Sequence, residues 1–242
     1  YSLESLGQVR ELIGSVVRPG GHVILGSDFY DPSTEPPRLH NSVYTVTAGG
    51  EILARYDKVD LVPFGEFLPF RMVLGRLGLE ALAVGSVDFT AGDGRTTIAV
   101  DGLPPFSPLV CYEAAFAARA TDGAGQARWL VNVTNDAWFG ISSGPHQHAG
   151  MARMRAAETG LPLVRAANTG ISLITDARGR VLASLRLGEE GTLDQLLPPA
   201  LAAAPPATRF PWLPAAFVGM LLLGAASVEL RRRDGDLSAV DR

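Results

Sequence analysis

A layered α/β sandwich with helices on the outside, followed by one C-terminal membrane helix, is the fold that this 242-residue sequence predicts. Three observations predict it. Short β-like runs alternate with helical stretches, in a chain whose 47% hydrophobic content can fill one sizeable core. Turn signals such as Gly49-Gly50 and the Asp176 to Arg180 segment join strand directly to strand, so the order is not the plain alternation of a doubly wound sheet. Residues 212–228 carry no charge at all.

Taken in order, residues 3–16 read as an amphipathic helix with charges at Glu4, Arg10 and Glu11, which is not a signal-peptide pattern. The chain begins at Tyr1 and its first methionine is Met72, so a further segment upstream of Tyr1 is expected. Runs at 23–25, 42–46 and 51–56 read as strands, the last two separated by the glycine turn. Further strands are expected at 96–100, 108–111, 129–133, 163–166 and 171–175, the last turning back into 181–185. Helices are expected at 114–120 and 148–159. Phe70, Val73, Leu74 and Leu77 make one apolar helical stripe with Arg71 and Arg76 off it. That stripe reads about equally as a core helix and as a helix lying in a membrane interface.

The organisation that follows is a catalytic domain over 1–195, an Ala/Pro-rich linker over 196–210, a transmembrane helix over 211–230 and a tail over 231–242. Trp212 suits a membrane interface, and Arg231, Arg232 and Arg233 directly follow the run. By the positive-inside rule the tail is cytoplasmic and the preceding domain lies on the opposite face. The balance of 21 basic against 25 acidic residues gives −4, which implies no nucleic-acid partner.

Cys111 is the only cysteine, so it makes no disulfide within the chain. A free cysteine is most often a small buried hydrophobe. This one ends an apolar run and is followed by Tyr112 and Glu113, a strand-to-helix turn of the kind that displays nucleophiles. A thiol acylates efficiently only with a base to take its proton and a donor for the developing oxyanion. Lys58 stands in Tyr56-Asp57-Lys58, just past a strand and ahead of Leu61-Val62-Pro63-Phe64-Gly65-Glu66. A lysine taken at random is a solvated surface residue. Trp138 and Phe139 precede Gly140 to Gly144, a hinge-like stretch that suits acyl-chain gating or simple core packing. His146 and His148 would share a face on a strand, but with no third ligand nearby no metal site is expected. Asn132 opens a glycosylation sequon that falls inside an expected core strand, so it is discounted.

The blocks Tyr56 to Glu66, Cys111-Tyr112-Glu113, Val131 to Gly140, Gly144 to His148 and Met151 to Arg155 resemble the nitrilase (carbon–nitrogen hydrolase) superfamily. Within it they are most similar to the membrane N-acyltransferases that complete bacterial lipoproteins. The resemblance implies a four-layer α-β-β-α sandwich with Cys111 as nucleophile and Lys58 stabilising the tetrahedral intermediate. Cys111 would be favoured as thiolate by Lys58 and by the N-terminus of the following helix. Glu66 and Glu113 match further acidic positions near the site, and Tyr112, Trp138 and Phe139 are expected to contact the substrate. The general-base glutamate of the triad, found in such enzymes in a Trp-Pro-Glu-like segment, has no match here and is expected upstream of Tyr1. The polypeptide alone would then be inactive. The implied reaction is ping-pong and needs no cofactor or metal. Its partners are a phospholipid acyl donor, an apolipoprotein acceptor and the bilayer of the inner membrane, with the catalytic domain facing the periplasm. The rival readings are an amidase using water as acceptor and an inactive fragment.

Overall fold

In the computed structural model, which describes residues 3–70, 88–210 and 212–240, two sheets lie face to face. The first has three antiparallel strands in the order β1 (His22–Asp31), β2 (Arg38–Thr47) and β3 (Ile52–Asp57). The second has six in sequence order: β4 (Ile98–Val100), β5 (Leu103–Val110), β6 (Trp129–Asn135), β7 (Leu163–Asn168), β8 (Ser172–Thr175) and β9 (Val181–Leu185). Only β5–β6 and β6–β7 pair in parallel, because their connections are long enough to cross over.

Side-chain alternation along the central strands sets the layers. On β6, Trp129, Val131 and Val133 point inward and meet Val43 of β2, Tyr56 of β3 and Phe106 of β5, which makes the core between the sheets. The intervening Leu130, with Leu109 and Leu163 of the neighbouring strands, points outward against a helix. That helix, α2 (Gly144–Thr159), follows α1 (Gly7–Gly14) in the chain. It presents Ala149, Ala152 and Ala156 to the sheet, a stripe small enough for close approach. A fully buried leucine such as Leu130 is worth about 2–5 kcal/mol against alanine in such a core. On the far side Leu3, Phe29, Tyr44 and Val46 form a third cluster, with Ile13 of α1 packed on it. The order is therefore helix, sheet, sheet, helix, as the resemblance implied.

Several boundaries moved. β1 runs on to Asp31 although Ser27 and Asp28 are polar, since β2 pairs with it along its full length. The helix expected over 3–16 is a 3₁₀ turn, Leu3–Ser5, followed by α1. The helix expected over 114–120 does not form. Cys111–Ala115 make a 3₁₀ turn, Phe116 is extended, and Ala118 has a φ of 58° that no helix accepts. His146 and His148 lie on α2 rather than a strand, His148 buried and His146 exposed. The stripe expected on Phe70, Val73, Leu74 and Leu77 lies outside the described residues from Arg71 onward; Phe70 itself is exposed.

A long helix, α3 (Leu213–Val240), ends the described chain, and it continues through Arg231, Arg232 and Arg233 rather than stopping before them. Among the described residues no helix is long and apolar enough to cross a membrane. The span expected over 211–230 therefore stands only as a helix. The uncharged stretch reaches roughly 26 Å at about 1.5 Å per residue, close to a hydrocarbon layer of about 30 Å. Its apolar side chains nevertheless stand open, with Met220, Leu221, Leu222 and Leu223 each more than half exposed.

Candidate active site

Cys111 sits where β5 ends, half-buried, with a φ of 47°. That left-handed value is unusual for a residue with a Cβ and swings the chain sharply off the strand, so the side chain leaves the sheet instead of continuing its alternation. Such strain is held by its surroundings. Two sets of buried polar contacts hold it.

The first centres on Glu113, which is 0% exposed. Its Oε2 accepts from the Val110 amide at 2.8 Å, closing the turn, and pairs with Arg95 Nη1 at 3.2 Å. Its Oε1 accepts from Tyr56 Oη at 2.9 Å, the Val59 amide at 2.8 Å and the Asp60 amide at 3.2 Å. One carboxylate thus ties the cysteine turn to the backbone just after Lys58. Burial, reinforced by the Glu113 charge, pushes the Tyr56 phenol well above its ordinary value, so it remains a donor.

Lys58 is also 0% exposed, which removes the surface-lysine reading. Its Nζ donates to both Glu66 oxygens at 2.7 Å. Glu66 is fixed in turn by Asn41 Nδ2 at 3.1 Å and the Val62 amide at 2.8 Å. An ammonium has three N–H donors, so one is left for a further acceptor.

The second set lies behind the cysteine. His148 Nε2 approaches the Cys111 carbonyl at 2.9 Å and its Nδ1 meets Asp136 Oδ1 at 2.8 Å. Arg165 donates to Asp136 Oδ2 at 2.6 Å and to the Asn132 side chain. Burial alone would raise the Asp136 carboxyl, but the His148 hydrogen bond and the Arg165 charge outweigh it and hold the carboxyl below its ordinary range. A depressed folded-state value means that this carboxylate's stabilisation is present above about pH 4 and is lost as pH falls further. Gly170 is required beside it, because a Cβ there would stand 2.4 Å from Asp136 Oδ2.

A mainly apolar, open cleft of about 730 Å³ lies beside the turn, walled by Val59, Leu61, Pro63, Phe67, Phe89, Tyr112 and Phe116, with Asp60 and Asp88 also on its lining. Tyr112 stacks edge-on against Phe116 with centroids 4.8 Å apart. Trp138 is 63% exposed, whereas Phe139 packs against the His148 ring at 5.8 Å. Among the described residues no group of His, Cys, Asp and Glu is arranged to hold a metal ion.

Of the residues singled out from sequence, the structure joins Lys58 to Glu66 and joins Glu113 to the backbone on both sides of the site. Tyr112 lines the cleft; Trp138 does not. The helix N-terminus expected to favour the thiolate is absent, since Cys111 opens only a five-residue 3₁₀ turn, Cys111–Ala115. Sequence reading missed Tyr56, Arg95, Asp136 and Arg165. Asp136 lay within a specific block and could have been flagged. Arg165 looks like an ordinary charge in an alternating strand.

Curated apolipoprotein N-acyltransferases from Rhodopseudomonas palustris and Bradyrhizobium diazoefficiens are 43% and 44% identical over 95% of this chain. The chain spans 42% of the length of each of these relatives. A solved amidase from Nesterenkonia sp. is 22% identical, with 78% of this chain and 66% of that one superposing at a TM-score of 0.53, which is a likeness of fold. The carbon–nitrogen hydrolase family model matches residues 4–205, most of the chain, and the chain belongs to that family.

Proposed function

We propose that this chain is the catalytic portion of a membrane N-acyltransferase. The Cys111 thiolate attacks an ester carbonyl of a phospholipid, forming a thioester and releasing a lysophospholipid that takes up the proton. The α-amine of the diacylglyceryl-cysteine at an apolipoprotein N-terminus then attacks the thioester, giving an amide and restoring the thiol. Lys58 stabilises the oxyanion of each tetrahedral intermediate, Glu66 orients Lys58, and Glu113 positions the turn. Tyr112 and the cleft receive the acyl chain, and the exposed Trp138 and Phe139 gate it. The observation that carries the reading is the 43% identity to an apolipoprotein N-acyltransferase over 95% of this chain.

The second reading, a hydrolytic amidase on the same fold, rests on a likeness at 22% identity. Full-length protein given phospholipid and a diacylated lipopeptide separates the two. Transfer expects triacylated lipopeptide in step with lysophospholipid. Free fatty acid in place of the lipopeptide amide would favour hydrolysis.

The catalytic domain over 1–195 is joined by the 196–210 segment to α3, whose uncharged half we place in the inner membrane. The catalytic domain then faces the periplasm, with the arginines on the cytoplasmic side. Leu221, Leu222 and Leu223 point about 100° apart around the helix, so no single protein face could cover them. Retention in the membrane fraction after a carbonate wash is expected, and release would remove this placement.

A further inference from the structure

We propose that His148 is a positioning residue for the nucleophile, acting through the peptide carbonyl of Cys111. The inference rests on the reading of Cys111 as the reacting thiol. At the end of β5 the cysteine turn takes its carbonyl, which is partly buried, out of the sheet ladder, and such a carbonyl left without a donor is costly. His148 supplies that donor from α2, with Nε2 at 2.9 Å. The ring is held in turn at its other nitrogen, where Nδ1 lies 2.8 Å from Asp136 Oδ1 and 3.3 Å from Arg165 Nη2, and this fixes the orientation that brings Nε2 to the carbonyl.

The contacts continue until they return to the cysteine's own strand. Asp136 Oδ2 accepts from Arg165 Nη2 at 2.6 Å, and Arg165 Nε donates to the Ile171 carbonyl at 3.1 Å. Arg165 also donates to Asn132 Oδ1, and Asn132 Nδ2 donates to the Leu109 carbonyl at 2.8 Å. Leu109, Asn132 and Arg165 are directly paired across β5, β6 and β7. A closed circuit of buried side chains therefore grips β5 at two carbonyls, Leu109 and Cys111, and His148 is its link to the strained residue. Asn132, Asp136, His148 and Arg165 are all at least 95% buried, so water does not substitute for any of them.

The test is the rate at which iodoacetamide alkylates Cys111 in the full-length protein, read peptide by peptide by mass spectrometry beside thermal unfolding. His148→Phe keeps a ring of similar volume and loses the donor; His148→Gln keeps an N–H at the end of a side chain of similar reach. His148→Phe is expected to slow alkylation by about tenfold or more, the scale on which small misplacements of a reacting group act. His148→Gln is expected to stay within about threefold of the parent, a rescue that a purely structural role would not give. Parent-like alkylation in His148→Phe, or equal slowing in both variants, would overturn the inference. Should His148→Phe fail to fold, Asp136→Leu, which removes the acceptor beside Nδ1 at similar volume, is expected to slow alkylation too, and an unchanged rate there overturns the inference equally. A parent Cys111 that reacts no faster than a cysteine in a short peptide would instead refute the nucleophile reading beneath it.

Discussion

Replacing Lys58 with methionine is expected to slow acylation of Cys111 by about 10²–10³-fold, roughly 3–4 kcal/mol of transition-state stabilisation. Methionine keeps much of the stem's volume, so the packing around this fully buried side chain changes little. The charge is what disappears. Glu66 would then hold a largely buried carboxylate without its 2.7 Å partner, and breaking such a pair costs about 3–5 kcal/mol of stability. Single-turnover acylation must therefore be read on protein shown to be folded by its unfolding transition. A folded Lys58→Met protein that acylates Cys111 at the parent rate would remove lysine from the mechanism.

Glu113→Ala is expected to cost stability on a similar scale, about 3–5 kcal/mol, because the lost carboxylate leaves buried donors behind. Those donors are Tyr56 Oη, the amides of Val59, Asp60 and Val110, and the Arg95 guanidinium. Because they come from both sides of the site, the cysteine turn and the lysine segment should loosen together. Denaturant unfolding of the variant measures this directly. A loss below about 1 kcal/mol, in the range of an exposed ion pair, would mean that Glu113 does not hold the turn.

The parts of this molecule that could be read from sequence are those governed by local pattern. The strand at 129–133, the Asp176 to Arg180 turn and the helix at 148–159 were each read from consecutive residues, and all three elements formed. The failure at 114–120 has a local and a tertiary cause. Its alanines favour helix, yet Ala114 and Ala120 are drawn into the core beneath β5 and β6 while Ala118 turns left-handed between them. Cys111, Lys58, Glu66 and Glu113 were legible because they stand inside distinctive blocks. What each carboxylate touches was not, since Glu113 bonds residues more than fifty positions away. Arg165 was invisible for the same reason: its partner Asp136 lies 29 residues earlier, in the turn just past β6, and the pairing of β6 with β7 together with that turn brings them into contact.

The central claim is that Cys111 carries the acyl group. Full-length protein incubated with a phospholipid of defined chain length, quenched in acid and digested, is expected to show the Cys111 peptide heavier by that acyl chain. The adduct should be labile to hydroxylamine, as a thioester is, and absent from Cys111→Ala. That variant should fold as the parent does, because one small L-residue replaces another at the same backbone angles. An unmodified Cys111 peptide throughout turnover, or an acyl adduct that survives in Cys111→Ala, would contradict the account.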